Sequence, residues 1–139
     1  MSSKRVQTTT ALAVLLAVAS AGASAKDVKV SLTGAEETPP VTTSATGKGT
    51  VHIAKDKSVS GSVKTTGIEG IAAHIHVGAK GEAGPPIITL TKGADGTWTV
   101  PAGSKLTDEQ WADYKAGKLY VNVPSDQHKP GEIRGQLQP

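Results

Sequence analysis

The feature that most constrains the fold is a series of short segments in which apolar and polar residues alternate. Val28, Val30 and Leu32 alternate with lysine, serine and threonine, and similar runs occupy 47–54 and 58–66. Successive side chains of a β-strand point to opposite faces, so each run predicts a strand with one buried face. A Lys-Asp-Lys turn connects the second and third runs, which together predict a β-hairpin.

Further strands are predicted downstream, separated by turns rich in glycine, proline and lysine. They occupy 72–77, 87–91, 97–100, 119–123 and 132–137. About eight short strands with only one helix predict an all-β fold, an antiparallel Greek-key β-sandwich. A parallel α/β sheet is excluded because the chain lacks the helices that its crossover connections would need.

One short helix is predicted at 108–116, where several independent signals agree. Thr107 and Gln110 have the spacing of a capping box, in which each side chain bonds the other residue's backbone N–H. The apolar residue before this cap and Trp111 form a hydrophobic staple. Gly117 provides the left-handed residue that commonly ends a helix.

The first 25 residues have the pattern of a signal peptide. Lys4 and Arg5 precede an apolar stretch at 11–19 that is too short to span a bilayer, and an Ala-Ser-Ala cleavage pattern follows. We therefore expect residues 1–25 to be removed and 26–139 to fold as one domain. The chain contains no cysteine, so neither a lipid anchor on a cysteine nor a disulfide is expected. The predicted location is the periplasm or the extracellular space.

Charge and motifs exclude several classes of function. The net charge is +3 for the whole chain and falls by two, to +1, without Lys4 and Arg5. No basic cluster with interleaved aromatic residues remains, so nucleic-acid binding is not expected. The chain lacks a Gly-x-Ser-x-Gly nucleophile elbow and a phosphate-binding loop. Glu36 and Glu37 are adjacent in an extended segment, so their side chains should diverge rather than act as an acid–base pair.

The pattern His74-Ile75-His76 is the strongest candidate for a site. The two imidazoles share one face of a strand, and Ile75 points to the other face. Two interpretations remain open: the pair is part of a copper or zinc site, or it is a polar pair on a wet sheet face. A metal site needs a third ligand, and His128 is the nearest plausible one. His52 lies between two core positions and should point to solvent.

Glu132 and Arg134 lie two residues apart on one strand face. Arg134 is a candidate for an anion or partner contact. The alternative is a structural role, either an ion pair with Glu132 or a fork of hydrogen bonds to a nearby loop.

Four segments, in order along the chain, carry a family resemblance. They are LTGAEETPPV at 32–41, AAHIHVG at 72–78, LYVNV at 119–123 and GEIRGQL at 131–137. Together they resemble the CHRD domain, a module found as repeats in the developmental antagonist chordin and as single exported bacterial proteins. The resemblance implies a β-sandwich. With no complete catalytic constellation in the chain, it favours an exported binding or interaction module without catalytic activity, whose extracytoplasmic partner the sequence does not name.

A more remote similarity is to the copper–zinc superoxide dismutase sandwich. It implies copper ligation by His74 and His76, and a substrate-guiding role for Arg134. Many CHRD domains have a histidine directly after the Val-Asn-Val strand, whereas this chain has Pro124, and His128 follows four residues later. The alternative function implied by this similarity is a periplasmic copper-binding or dismutase-like redox protein.

Overall fold

The computed structural model describes residues 26–139, so the predicted signal peptide lies outside the described residues. This part of the chain forms nine β-strands, one α-helix and a short 3-10 turn at Gly34–Glu36. The elements are β1 Lys26–Thr33, β2 Thr46–Ile53, β3 Val59–Thr66, β4 His74–Val77, β5 Pro86–Thr89, β6 Thr91–Lys92, β7 Thr97–Thr99, α1 Asp108–Lys115, β8 Leu119–Val123 and β9 Ile133–Leu137. Every strand pair is antiparallel, which confirms the predicted antiparallel sandwich.

The strands form one sheet that curls until its two edges meet in a single chain segment. The order is β5-β4-β8-β9-β1-β2-β3-β7-β6, so β5 and β6 are the two edges. Only Leu90 separates them, and its N–H donates to the carbonyl of Ala73. The prediction of one strand at 87–91 was therefore wrong in detail. The segment bends at Leu90 because its first half pairs with β4 and its second half with β7.

The inner side of the sheet encloses one aliphatic core. Alternate residues of the longer strands point into it, including Val28, Leu32 and Val51, which are at most 2% exposed. Each fully buried side chain of this kind stabilises the fold by roughly 1.5–3 kcal/mol. Ile75 faces this core at 1% exposure. Its burial places the two flanking histidines on the outer side of the sheet, as the alternation predicts.

The helix forms where its capping signals lie. The Gln110 backbone N–H donates to the Thr107 hydroxyl over 3.1 Å, and the Thr107 N–H donates to the Gln110 side chain over 3.0 Å. Gly117 follows the helix with a φ of 74°, the left-handed conformation expected of a stop residue. Leu106 is buried, whereas Trp111 is only partly buried against the core. No helix within 26–139 has the length and apolar character needed to cross a membrane.

The outer side of the sheet has two regions that matter for function. We call the outward residues of β4, β8 and β9 the covered face, because the loop 78–85 lies over them. We call the outward residues of β1, β2 and β3 the open face. The three strands of the open face pair over eight residues without a bulge.

Candidate functional site

The covered face is assembled by the register of three neighbouring strands. β4 pairs with β8 so that His74 lies opposite Asn122 and His76 opposite Tyr120. β8 pairs with β9 so that Asn122 lies opposite Arg134. Because alternate residues of a strand point to the same side, these side chains all lie together on the outer side of the sheet. Residues from distant parts of the sequence thereby form one polar cluster.

Within this cluster the rings stack across the strands. The His76 and Tyr120 rings are nearly parallel, with centroids 4.9 Å apart and 10° between their planes. The Arg134 guanidinium lies 3.5 Å from the centroid of the same tyrosine ring, in cation–π contact. His74 meets His76 edge-on at 5.6 Å. Tyr120, at 3% exposure, is the centre of the stack.

Arg134 fixes the loop 78–85 over the stack. Its Nη1 donates to the carbonyl of Glu82 over 2.7 Å, and its Nη2 donates to the carbonyl of Ala79 over 2.9 Å. A third bond goes from Nη2 to the side chain of Gln136 at 3.1 Å. The arginine side chain is 2% exposed. Its two terminal nitrogens therefore form a hydrogen-bonded fork to the loop, and the side chain is shielded from an approaching anion.

Glu132 contacts different groups from Arg134, although the two residues belong to the same segment. Its carboxylate accepts hydrogen bonds from the hydroxyl groups of Ser125 at 2.7 Å and Thr43 at 2.8 Å. The hydrogen bond from Ser125 is the main reason that the pKa of Glu132 lies below its ordinary value. These contacts do not include the ion pair between Glu132 and Arg134 that was one of the predicted alternatives.

The loop also determines the tautomer of His76. Its Nδ1 lies 2.9 Å from the carbonyl of Gly84, and a carbonyl only accepts, so Nδ1 carries the hydrogen. In the neutral ring Nε2 then has a free lone pair, and this atom is buried without a hydrogen-bond partner. The N–H of Gly84 in turn donates to the Tyr120 hydroxyl over 3.0 Å. The loop backbone thus selects one tautomer and leaves one unused imidazole nitrogen.

His74, like His76, is partly buried. Its pKa is lowered first by burial and second by the neighbouring His76. Both effects disfavour the charged ring, so His74 is neutral at pH 7. A neutral imidazole is the form that binds a transition metal.

His128 lies elsewhere, in a tight turn with Ser125. The two residues exchange backbone hydrogen bonds of 3.2 Å. Within residues 26–139 no group of three or more histidine, aspartate or glutamate side chains has the geometry to hold a metal ion. The structure thus brings His74 and His76 together and does not add His128 to them as a third ligand. Binding of copper by the histidine pair stays a prediction.

A buried carboxylate lies beside the covered face. Glu37 is 8% exposed, and its Oε1 has no hydrogen-bond partner. Burial raises the pKa of Glu37 to about 7, although the charge of Arg134 and hydrogen bonds from Asn122 and Thr38 act in the opposite direction. A Cβ atom at Gly131 would contact Asn122 and lie 2.6 and 2.8 Å from the two carboxylate oxygens, and the φ of 145° at this position also favours glycine.

Glu37 and His128 both line a cavity of about 450 Å³, whose other walls are mainly proline and threonine. The sequence correctly predicts that the side chains of Glu36 and Glu37 diverge. Glu36 lies near the surface, with its Oε1 3.9 Å from Nζ of Lys80. It does not reveal that Glu37 is buried. The sequence feature that could have indicated this burial is the position of Glu37 directly before Thr38 and two prolines, which constrain the backbone.

His52 has the outward position that the sequence indicates. It is partly exposed on β2 and its Nδ1 pairs with the carboxylate of Asp27 on β1. This contact lies across the open face and is separate from the histidine pair on β4.

Comparison with known proteins gives one finding. The model of the CHRD domain family matches residues 28–137, which is most of the chain. No curated protein and no solved structure is significantly similar to it.

Proposed function

Because the chain belongs to the CHRD domain family, we propose that it is an exported, non-catalytic binding module. The family match supports an extracellular interaction module in general. One observation carries the non-catalytic part of the proposal: Arg134 is 2% exposed and its donors bind the carbonyls of Glu82 and Ala79 and the side chain of Gln136. The best candidate for a substrate-guiding group thus has a structural role.

The export part of the proposal is tested in a bacterial host that secretes the full chain. We expect the protein in the periplasmic or extracellular fraction, with its mature N-terminus at Lys26 by mass spectrometry. Recovery of uncleaved protein in the cytoplasm would contradict export.

The binding part is tested by incubating the mature protein with isolated cell envelopes. We expect saturable binding of the protein to the envelopes. We expect no turnover of superoxide by protein that has been dialysed against a solution containing copper. Turnover of superoxide that survives mutation of both His74 and His76 would indicate a catalytic site elsewhere in the protein. Absence of binding to every envelope fraction would overturn the proposal that the protein is a binding module.

We propose copper binding by His74 and His76 as a second candidate function. It is supported by the buried lone pair on His76 Nε2, because metal-binding histidines commonly donate their other N–H to a backbone carbonyl, as His76 does to Gly84. When bound, copper would supply redox or ligand-exchange chemistry at the outer side of β4. The chain's own contribution is to fix the tautomer of one ligand and to keep the other ligand neutral.

This second candidate has a direct test. Metal-free protein is titrated with Cu²⁺ by calorimetry, and the bound ion is identified by electron paramagnetic resonance with nitrogen hyperfine structure. We expect one equivalent bound with at least two nitrogen ligands, and loss of binding in the His74→Ala/His76→Ala variant. His52→Ala is the matched control and should bind as the wild type does. The His128→Ala variant tests the predicted third ligand. No uptake at micromolar copper would exclude the site.

A further inference from the structure

The open face is a regular array of hydroxyl and ammonium groups. Its outward residues are Asp27, Lys29, Ser31 and Thr33 on β1, Thr46, Lys48, Thr50 and His52 on β2, and Ser60, Ser62, Lys64 and Thr66 on β3. Neighbouring strands lie ~4.8 Å apart, and outward residues of one strand follow each other at ~6.8 Å. Apart from Asp27 and His52, which pair with each other at one end, every position is lysine, serine or threonine.

The lysines on this face repel one another. Lys48 and Lys64 lie directly opposite each other on β2 and β3, and both are exposed. Like charges in such a cross-strand pair destabilise a sheet. Lys29 lies diagonally across from Lys48 on the neighbouring strand. Ser31, the next outward residue of β1 after Lys29, is directly opposite Lys48. None of the ion pairs formed within residues 26–139 involves these three lysines.

A cluster of like charge whose members form no ion pair with residues 26–139 needs a reason, because the fold would be more stable without it. An anionic partner supplies that reason, since it would neutralise all three ammonium groups at once. Apart from His52, which pairs with Asp27 at one end, the face has no aromatic side chain for stacking on nucleobases. It has no arginine either, and no apolar side chain for insertion into a bilayer. Serine and threonine hydroxyls, however, both donate and accept hydrogen bonds, which matches the hydroxyl groups of a sugar.

We propose that the open face binds an acidic polysaccharide. Lys29, Lys48 and Lys64 contact its carboxylate, sulfate or phosphate groups, and the flanking hydroxyls of Ser31 and Ser62 bond the sugar rings. This inference rests on the proposed binding function and specifies the partner by its chemistry. The covered face takes no part, because the loop 78–85 lies over its outward residues.

The test measures retardation of the mature protein by affinity electrophoresis in gels containing polygalacturonate, with neutral dextran as the reference polymer. We expect retardation only by the acidic polymer, weakening as salt is raised. The Lys48→Gln/Lys64→Gln variant should bind at least tenfold more weakly. The matched control, Lys118→Gln/Lys129→Gln, changes the net charge equally at exposed positions away from the open face and should bind as the wild type does. Circular dichroism checks the fold of each variant.

Each outcome is informative. Equal weakening by both double variants would show bulk charge attraction and would overturn the assignment to this face. Equal binding to phosphatidylglycerol vesicles would overturn the polysaccharide as the specific partner. If the wild-type protein binds cell envelopes but not polygalacturonate or dextran sulfate, this inference fails while the proposed binding function stands.

Discussion

The covered face and the open face lie on the outer side of one sheet, and both are polar, yet their side chains have opposite roles. On the covered face, Arg134 and Tyr120 are at most 3% exposed and are bonded to loop backbone. On the open face, Lys48 and Lys64 are exposed and form no ion pair with residues 26–139. The difference teaches that polarity on a sheet face does not by itself mark a binding surface. What decides is whether the chain itself satisfies the polar groups.

The covered face functions as a second, polar core. The loop 78–85 brings backbone carbonyls to a buried guanidinium, and a charged donor strengthens such hydrogen bonds to about twice the neutral value. The rings of His76 and Tyr120 fill the space between the sheet and the loop. Within residues 26–139 no loop is hydrogen-bonded over the outward side chains of the open face, so substitutions there should have small effects on stability.

The largest effect is expected for Arg134→Met. This change leaves the carbonyls of Glu82 and Ala79 without their donors and removes the stacking on Tyr120. We expect a loss of roughly 3–5 kcal/mol in the free energy of unfolding, measured by urea denaturation. Hydrogen exchange should show loss of protection in the loop.

Lys64→Met is the matched control on the open face. It replaces an exposed charged side chain by an uncharged one of similar length. Because it relieves the repulsion with Lys48, it should not destabilise the protein, and the change in the free energy of unfolding should stay within about 1 kcal/mol. Equal destabilisation by the two variants would contradict the distinction between the two faces.

The second prediction concerns the pH dependence of Glu37. Its pKa is raised to about 7 in the folded protein from an ordinary value of 4.5, so the folded state holds the proton more tightly than the unfolded state. This contribution to stability is fully present below pH 4.5 and is lost as the pH rises through 7. One pKa unit corresponds to 1.36 kcal/mol, so the loss between pH 4.5 and 8 is on the order of 3 kcal/mol.

The Glu37→Gln variant lacks this titration. Its advantage in free energy of unfolding over the wild type should therefore grow from pH 5 to pH 8 in parallel denaturation curves. A constant difference across that range would contradict a raised pKa.

A smaller effect is expected for Tyr120→Phe. The substitution keeps the ring in its stack but removes the hydroxyl that accepts the N–H of Gly84. We expect a loss of about 1 kcal/mol in the free energy of unfolding. The nitrogen and proton chemical shifts of Gly84 should report the lost bond, and a fully wild-type stability would show that the loop does not need it.

The smallest effect is expected on the open face, with the opposite sign. Lys48→Gln and Lys64→Gln each remove one side of a like-charge pair, so each should stabilise the protein by roughly 0.2–1 kcal/mol at low salt. The double variant should gain less than the sum of the two, because either change alone relieves the repulsion. Additive effects would show that the two ammonium groups do not interact.

Local sequence patterns predicted most of the fold. The alternation around Val28 and in the β2–β3 hairpin specified strands, and the capping box at Thr107 specified the start of the helix. The bend at Leu90 was missed, because it reflects a change of pairing partner between β4 and β7 and leaves no signal in a short apolar run.

The candidate site was predicted only in part, for a related reason. Alternation placed His74 and His76 on one face, but the bonds from Arg134 to Glu82 and Ala79 join residues more than fifty positions apart. Such contacts depend on how the sheet curls and on where a glycine-rich loop comes to rest. The burial of Glu37 arises in the same way, from packing against Gly131 and Asn122.

The curling of the sheet has a consequence for contacts between separate copies of the chain. A free sheet margin is a template for aggregation with another chain. Here the two margins are strands of only four and two residues, and they belong to one bent segment. One begins with Pro86, which has no N–H to offer, and the other ends with a charged lysine, Lys92. A chain without disulfides is thereby protected from strand-to-strand association by its topology.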